Sequence, residues 1–283
     1  MNLSVASKIL IKCAVFDIIL GKDMGYNIEK PNKQELNEYW EVGIGLQQVD
    51  DLEPSKYLIE LKEKNINNIL TNEEIEELLY NKYANVKDEE GLNQKQCDIV
   101  ANRITKLLSL KGSSLLIPEI FAKTHEFLFE NIFDFAGKFR KYNITKSEPI
   151  LNGDTVRYAN YFLIKETLDY DMKTERERDY SKYDKHTTIN KLTDFVSRIW
   201  QVHPFQEGNT RTTAVFIEQY LNQLGFKVNN EMFAKHSKYF RNALVRANYY
   251  NKDILSNNDF LKKFFINLLY NGNFNLSNKD LML

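Results

Sequence analysis

Hydrophobic residues recur along this chain at the three- and four-residue spacing of amphipathic helices. Leu36, Trp40 and Ile44 fall on one face of a first helix, and the stretches 189–199 and 214–224 show the same spacing. Helix breakers are few, with only 5 prolines and 11 glycines in 283 residues. The pattern therefore predicts a mainly α protein.

Capping and turn residues predict where several helices begin and end. Pro54 is placed to open one helix, since a proline in the first turn sacrifices no useful donor. Thr71 and Glu74 have the spacing of a capping box at the start of the next. Pro118 starts a longer helix, which is expected to end near Gly137, where glycine can adopt the left-handed terminating conformation.

The organisation of the chain follows from a polar stretch at 81–93, the best candidate for a domain boundary. It predicts a small helical segment over 34–90 and a larger domain over 91–275. Residues 1–33 form a leader that the pattern does not assign. Neither an internal repeat nor a low-complexity tract is present.

Residues 138–157, called the flap segment below, break the helical pattern. A short extended run is followed by turn signals at Pro149 and at Asn152-Gly153. The segment is predicted to form a small β-hairpin between two helices.

Charge and cysteine content exclude several classes of protein. The 38 basic and 39 acidic residues give a net charge of −1, which predicts neither a broad nucleic-acid surface nor a membrane surface. No apolar run approaches the ~20 residues of a membrane span. Cys13 and Cys97 are interpreted as two ordinary thiols in a reducing compartment. We expect a cytoplasmic protein where it is made, and a secreted effector stays open.

The candidate chemistry lies in the loop 203–211, between two predicted helices. Pro204 and Gly208 favour a loop, and its end is the start of the next helix. The exposed N–H groups and the positive dipole end of such a helix form an anion site.

Four side chains in this loop carry complementary chemistry. His203 can take a proton near neutral pH, and Glu207 is a hard oxygen ligand suited to Mg²⁺ beside phosphates. Asn209 can donate an amide hydrogen bond, and Arg211 offers a charged fork for phosphate oxygens. Together they fit phosphoryl-type transfer. Each residue taken singly would more often be structural, as in a capped loop with a satisfied histidine. A helical zinc pair of His203 and Glu207 is disfavoured because Pro204 and Gly208 break helices.

Residues 203–211 resemble the Fic motif, H-P-F-x-[D/E]-G-N-[G/K]-R, and depart from it only at Thr210. Residues 125–140 resemble the stretch before the family's substrate-binding flap, H-x-x-L-F-x-x-[IV]-[YF]-x-[WF]-A-G-x-x-R. The resemblance covers about residues 100–270. It implies a Fic-type helical bundle that transfers AMP from ATP to a Ser, Thr or Tyr hydroxyl of a target protein.

The resemblance also implies roles for individual residues. His203 would be the general base, Glu207 would hold Mg²⁺, and Arg211 would contact the distal phosphates. The anion cradle would consist of Gly208, Asn209 and Thr210. Phe205 would anchor the loop in the core.

The flap and the adenosine site are implied in the same way. The target backbone would pair with Ile144, Thr145, Lys146 and Ser147 by strand addition. Asn242 would lie near the adenosine. The segment 34–90 resembles the antitoxin-like helical modules found beside Fic domains, so that a homo-oligomer or a separate antitoxin-like regulator stays open.

One departure from the family concerns control of the site. Many Fic proteins restrain themselves through a glutamate, in an [S/T]-x-x-x-E-[G/N] helix, that pairs with a second arginine of the motif. Here that arginine position is Ala214, and no Ser or Thr has a Glu four residues on. We therefore expect no glutamate–arginine lock, and the missing arginine leaves other nucleotide donors open.

Alternative functions stay open at this point. A Fic enzyme could use UTP, GTP or CDP-choline, or it could remove AMP. Kinase-like chemistry is disfavoured because its Doc relatives carry other residues at Gly208 and Thr210. A catalytically silent peptide-binding module is the non-enzyme alternative. The histidines at 125, 186 and 236 are interpreted as structural.

Overall fold

The computed structural model describes residues 30–110 and 115–283, and ten α-helices contain most of them. The leader interpretation of residues 1–33 and the thiol at Cys13 fall outside these ranges, apart from residues 30–33. The helices are α1 Lys33–Gly45, α2 Lys56–Ile66, α3 Asn72–Lys82, α4 Glu89–Ser109, α5 Pro118–Phe129, α6 Ile164–Arg176, α7 Lys185–Val202, α8 Asn209–Gln223, α9 Glu231–Asn248 and α10 Asp259–Tyr270.

The mainly α prediction is confirmed, because the described residues are helical throughout apart from loops and short 3-10 turns. The flap segment turns back at residues 149–153, but no β-strand is assigned within 30–110 or 115–283. Glu148 N–H donates to the Asp154 carbonyl at 2.9 Å, and no ladder of such bonds continues from it. The predicted β-hairpin is therefore a hairpin-shaped loop.

The helix boundaries follow the local capping chemistry. Thr71 and Glu74 form the predicted capping box of α3. Pro118 occupies the first turn of α5, as predicted. Pro54 does not, because Ser55 caps α2 and the helix begins one residue later.

Helix α5 ends at Phe129, well before the predicted end at Gly137. Arg103 of α4 donates to the carbonyls of Leu128 and Glu130 at 3.3 and 2.7 Å. Asn131 then adopts a φ of 59°. The carbonyls at the end of α5 thus accept hydrogen bonds from a side chain of α4 instead of from a further turn of α5.

Two hydrophobic clusters meet at α4. The smaller cluster joins α1 to α4 around Trp40, Leu58 and Ile75, and the larger joins the remaining helices. Successive residues of α4 face different clusters, with Ile99 in the smaller and Val100 in the larger. The N-terminal helices therefore pack directly on the larger domain.

The approach of α1 to α9 depends on a residue without a side chain. A Cβ at Gly45 would lie 2.2 Å from the Ala234 carbonyl oxygen, so that only glycine permits this contact. Within residues 30–110 and 115–283, no helix has the length and apolar character needed to cross a membrane.

Glu218 of α8 carries a buried carboxyl group. Its side chain is fully enclosed, and neither oxygen has a hydrogen-bond partner among the described residues. Burial raises the pKa of Glu218 to about 8. The folded protein therefore keeps this proton over a pH range in which the unfolded chain has lost it.

We predict that Glu218→Gln stabilises the protein at alkaline pH. The free energy of unfolding of the wild type should fall as the pH rises from about 4.5 to 8, because the folded state holds the extra proton. The variant should lack that slope and be more stable at pH 9 by about 2–4 kcal/mol. Urea denaturation across this pH range measures both, with the exposed Glu231→Gln on α9 as the matched control. Identical slopes in wild type and variant would contradict the prediction.

Candidate active site

The loop between α7 and α8 places the candidate base. His203 ends α7 in the left-handed conformation, with φ 48° and ψ 58°. Gly208 precedes α8 with a φ of 77°, and a Cβ there would lie 2.5 Å from the Phe129 ring. Both the backbone angle and the close contact require glycine at this position.

Arg140, at the start of the flap segment, fixes this loop. Its guanidinium donates to the carbonyls of His203 and Val202 at 2.8 and 3.2 Å, and also to those of Tyr142 and Ala159. Its backbone N–H donates to the Pro204 carbonyl at 2.8 Å. One side chain thus holds the end of α7 against the flap.

The His203 ring is enclosed, and its nitrogens are unpartnered among the described residues. Only 4% of the residue is exposed, and its ring packs 4.3 Å from Tyr158 and 5.2 Å from Trp200, centroid to centroid. Neither ring nitrogen has a hydrogen-bond partner in the described part of the chain. Burial, with the nearby charges of Lys146 and Arg241, holds the pKa of His203 well below its ordinary value. The ring is therefore neutral at pH 7 and retains a lone pair.

Glu207 lies on the open side of the loop. One carboxylate oxygen accepts from Gly208 N–H at 3.1 Å, and the other lies 3.1 Å from Lys146 Nζ. Burial opposes ionisation of Glu207, but Lys146 and the Gly208 N–H outweigh it and lower the pKa. The carboxylate is therefore ionised, which is the form that can act as an oxygen ligand.

His125 holds the backbone of Glu207 through a hydrogen bond. Gly137 N–H donates to Nδ1 of His125 at 2.9 Å, so the proton is on Nε2, which donates to the Glu207 carbonyl at 3.0 Å. The imidazole stacks on Phe205 at 3.8 Å, and burial lowers its pKa to about 4. The structural interpretation of His125, and that of Phe205 as a core anchor, agree with these contacts.

The amide of Asn209 closes the loop on itself. Its oxygen accepts from Phe205 N–H, and its nitrogen donates to the Phe205 carbonyl, both at 2.9 Å. Thr210, the residue that departs from the motif, accepts from Trp200 Nε1 at 2.9 Å. Both side chains are engaged in the scaffold, whereas the sequence placed them around phosphates.

Arg211 points away from the loop, toward the N-terminal helices. Its guanidinium has no exposed surface and bonds Asp50 at 2.7 Å and Gln47 at 2.9 Å. It also lies 4.8 Å from the centre of the Phe129 ring. Gln96, with its amide oxygen turned toward it, accepts at 2.8 and 3.1 Å.

Part of this chain matches a known protein family. The family model for Fic/DOC proteins matches residues 116–221, which include both α5 and the loop 203–208. Residues 116–221 therefore match a Fic/DOC family domain, which is called the Fic domain from here on.

A protein adenylyltransferase of Bartonella schoenbuchensis, VbhT, is 23% identical over 180 residues. These residues make up 63% of this chain and 36% of VbhT, so that the chain spans little more than a third of its relative.

Solved structures show the same fold. The N-terminal Fic domain of a Bartonella effector protein from Bartonella sp. AR 15-3 has a TM-score of 0.53 at 15% identity, covering 66% of this chain and 85% of that one. BepC from Bartonella tribocorum, solved with bound AMPPNP, has a TM-score of 0.51 at 20% identity, covering 65% and 89%. Because these identities are low, the solved structures show the fold of the Fic domain and not its activity.

An acid–arginine pair does join the N-terminal segment to the Fic domain. Ala214, at the position of the second arginine, is fully buried in the larger hydrophobic cluster. One turn earlier, however, Asp50 pairs with Arg211. The inhibitory motif of the family carries a glutamate, so an aspartate at the end of the 3-10 turn of residues 46–50 does not match it.

The flap segment of the Fic domain presents a free backbone edge. The N–H groups of Ile144, Thr145 and Ser147 donate no hydrogen bond within residues 30–110 and 115–283. Lys146 differs, because its N–H donates to Thr155 Oγ1 at 3.3 Å and its ammonium pairs with Glu207. The base of the flap is fixed by Glu148, whose side chain is buried.

Asn242 lies on α9, as the sequence placed it, but its side chain is bound to the C-terminal turn. Its amide donates to Asn278 Oδ1 at 2.9 Å. The neighbouring Arg241 instead turns to the flap, where Nη1 lies 2.8 Å from Glu148 Oε2. Sequence reasoning missed Arg241, because nothing in the local pattern distinguishes it from any other arginine on a helix.

We predict that Asn209→Ala destabilises the Fic domain even without nucleotide. The substitution leaves the buried N–H and carbonyl of Phe205 without partners, which should lower the free energy of unfolding by about 2 kcal/mol or more. Asn222→Ala, an exposed position on the same helix, is the control and should change it by less than about 0.5 kcal/mol. Equal stability of the two variants would show that the Asn209 clamp contributes nothing.

Proposed function

We propose that this chain is a protein adenylyltransferase, which transfers AMP from ATP to a hydroxyl of a target protein with His203 as the general base. The Fic domain and its adenylyltransferase relative support an AMPylation-type transfer. The observation that carries the proposal is the neutral, unpartnered ring of His203, held at the end of α7 in the same loop as Glu207.

As the general base, His203 needs a lone pair positioned to accept the proton of the target hydroxyl. The target hydroxyl oxygen forms a bond to the α-phosphorus while its proton passes to a ring nitrogen of His203. The bond between the α-phosphorus and the oxygen that bridges to the β-phosphate breaks, and pyrophosphate leaves. Base strength normally favours a pKa near the working pH, but a neutral ring is the form that accepts the proton.

The start of α8 is suited to the phosphates. The backbone N–H groups of Asn209, Thr210 and Arg211 begin the helix and donate no hydrogen bond within the described ranges. They act together with the positive end of the helix dipole. In this proposal the cradle consists of the backbone, since the side chains of Asn209 and Thr210 are engaged elsewhere.

Glu207 is the residue that would hold Mg²⁺. Its side chain is 44% exposed and pairs with the Lys146 ammonium, which a metal ion would have to displace from one of the two oxygens. One carboxylate together with substrate phosphates is a usual Mg²⁺ environment. A metal ion there would neutralise charge on the phosphates as pyrophosphate departs.

The target protein would lie along the flap. Unpaired N–H groups at Ile144, Thr145 and Ser147 offer an edge to which an extended segment can add as a strand. Backbone pairing would hold the target hydroxyl in register while tolerating many target sequences. The adenine nucleotide as donor is supported by BepC, which binds AMPPNP.

We predict that His203→Ala lowers the rate of AMP transfer by about 10²–10⁴-fold, because no other group accepts the proton. Transfer is measured with ATP labelled at the α-phosphate, using the purified chain alone and with cell lysate. His186→Ala, an exposed histidine at the start of α7, is the matched control and should retain the wild-type rate. A His203→Ala variant with more than about a tenth of that rate would remove His203 from this role.

The pH profile gives an independent check of the same residue. Because the pKa of His203 lies well below its ordinary value of 6.5, the acid limb of kcat/KM should also fall below pH 6.5. A limb at or above that pH would show that the reacting base is another group.

A further inference from the structure

The cations of the motif loop and of the elements packed around it differ in how much of each is available to a ligand. Arg211 is fully enclosed, with both terminal nitrogens bound to Asp50 and Gln47. Ala214, one turn further along α8, offers no charge at all. A triphosphate whose α-phosphate lies at the start of α8 must therefore find its remaining positive charge elsewhere.

Arg241 of α9 lies next to His203 through a chain of direct contacts. The Tyr158 ring packs against the His203 ring, and the Tyr158 hydroxyl donates to Glu148 Oε1 at 3.3 Å. The other oxygen of Glu148 lies 2.8 Å from Arg241 Nη1. Residues far apart in sequence thus bring this guanidinium to the edge of the site.

Only part of the Arg241 guanidinium is engaged. Nη1 contacts Glu148 and Asn242, whereas Nη2 and Nε donate no hydrogen bond within the described residues. About a fifth of the side chain, 22%, is exposed, while Glu148 is fully buried. Arg241 can therefore stay paired with Glu148 through Nη1 and still donate from Nη2 and Nε to an anion.

The electrostatics agree with this placement. Burial of Arg241 opposes its charge, but Glu148 foremost, followed by Tyr158 and Asp50, holds its pKa above the ordinary value. Lys146, the other exposed cation beside His203, already faces Glu207.

We propose that Arg241 binds the distal phosphates of the nucleotide donor and so selects a triphosphate over a monophosphate. The inference rests on the proposed function, because it takes the α-phosphate to lie at the start of α8. Glu148 is then a positioning residue, which holds the fork of Arg241 at the edge of the site.

The test measures binding of two nucleotides to the full chain by calorimetry in the presence of Mg²⁺. The probes are AMP and an ATP analogue that cannot be cleaved between its α- and β-phosphates. Arg241→Gln should weaken binding of the analogue by about tenfold or more, as loss of a charge-assisted contact to phosphate requires, and change AMP binding less than about threefold. Arg241→Lys should recover part of the loss.

Two further variants separate phosphate binding from a structural role. Arg246→Gln, on the same helix with its guanidinium bonded to the Leu281 carbonyl, is the matched control and should bind both probes as the wild type does. The double variant Arg241→Gln/Glu148→Gln leaves no buried charge unpaired, so it removes the cost of an orphaned Glu148. It should still bind the ATP analogue weakly.

Each outcome decides the matter. Selective loss of analogue binding in both the single and the double variant supports the proposal. Equal losses for AMP and the analogue, or recovery of analogue binding in the double variant, overturn it and make Arg241 a structural partner of Glu148. A wild-type chain that binds neither nucleotide overturns the proposed function itself, and the assignment of Arg241 with it.

Discussion

The hydrogen bonds of Arg140 are the constraint on which the candidate site depends. A non-glycine residue in the left-handed conformation costs about 1–2 kcal/mol, and His203 is held in that conformation. Arg140 donates to the carbonyls on both sides of the bend, and each charged hydrogen bond contributes about 1.5–3 kcal/mol. The contacts therefore outweigh the strain. These hydrogen bonds hold His203 in the left-handed conformation that ends α7.

A second buried guanidinium links the two parts of the chain. Removing a charge from water costs several kcal/mol unless it is paired, and Arg211 has no exposed surface. Asp50 and Gln47, from the turn after α1, provide that pairing. The N-terminal segment therefore completes the motif helix of the Fic domain. It does so through an aspartate and the first arginine, in a chain whose second arginine position is alanine.

Local chemistry made much of this structure predictable. Hydrophobic periodicity gave the helices, the Thr71 capping box gave the start of α3, and Pro204 with Gly208 gave the loop. The enclosure of Phe205 followed from its place in that loop. In each case the cause lies within a few residues of its effect.

What the sequence could not show depends on partners far along the chain. Arg103 of α4 ends α5 early, and the partners of Arg211 lie more than 150 residues away, in the turn after α1. The amide of Asn209 can bind either a phosphate or the loop backbone. Which of the two it binds depends on the folded loop, where it is bonded to the Phe205 backbone. Arg241 has no local signature, because its position beside His203 arises from the packing of α9 against the flap segment.

His203 is proposed to take the proton of a target hydroxyl that attacks the α-phosphate of ATP. A crystal structure of the chain with Mg²⁺ and a non-cleavable ATP analogue tests it most directly. The account predicts the phosphates at the start of α8, the α-phosphorus nearest to the His203 ring, and the metal ion bound to Glu207. A nucleotide bound in the reverse direction, with its γ-phosphorus beside His203, would contradict AMP transfer and indicate phosphoryl transfer instead.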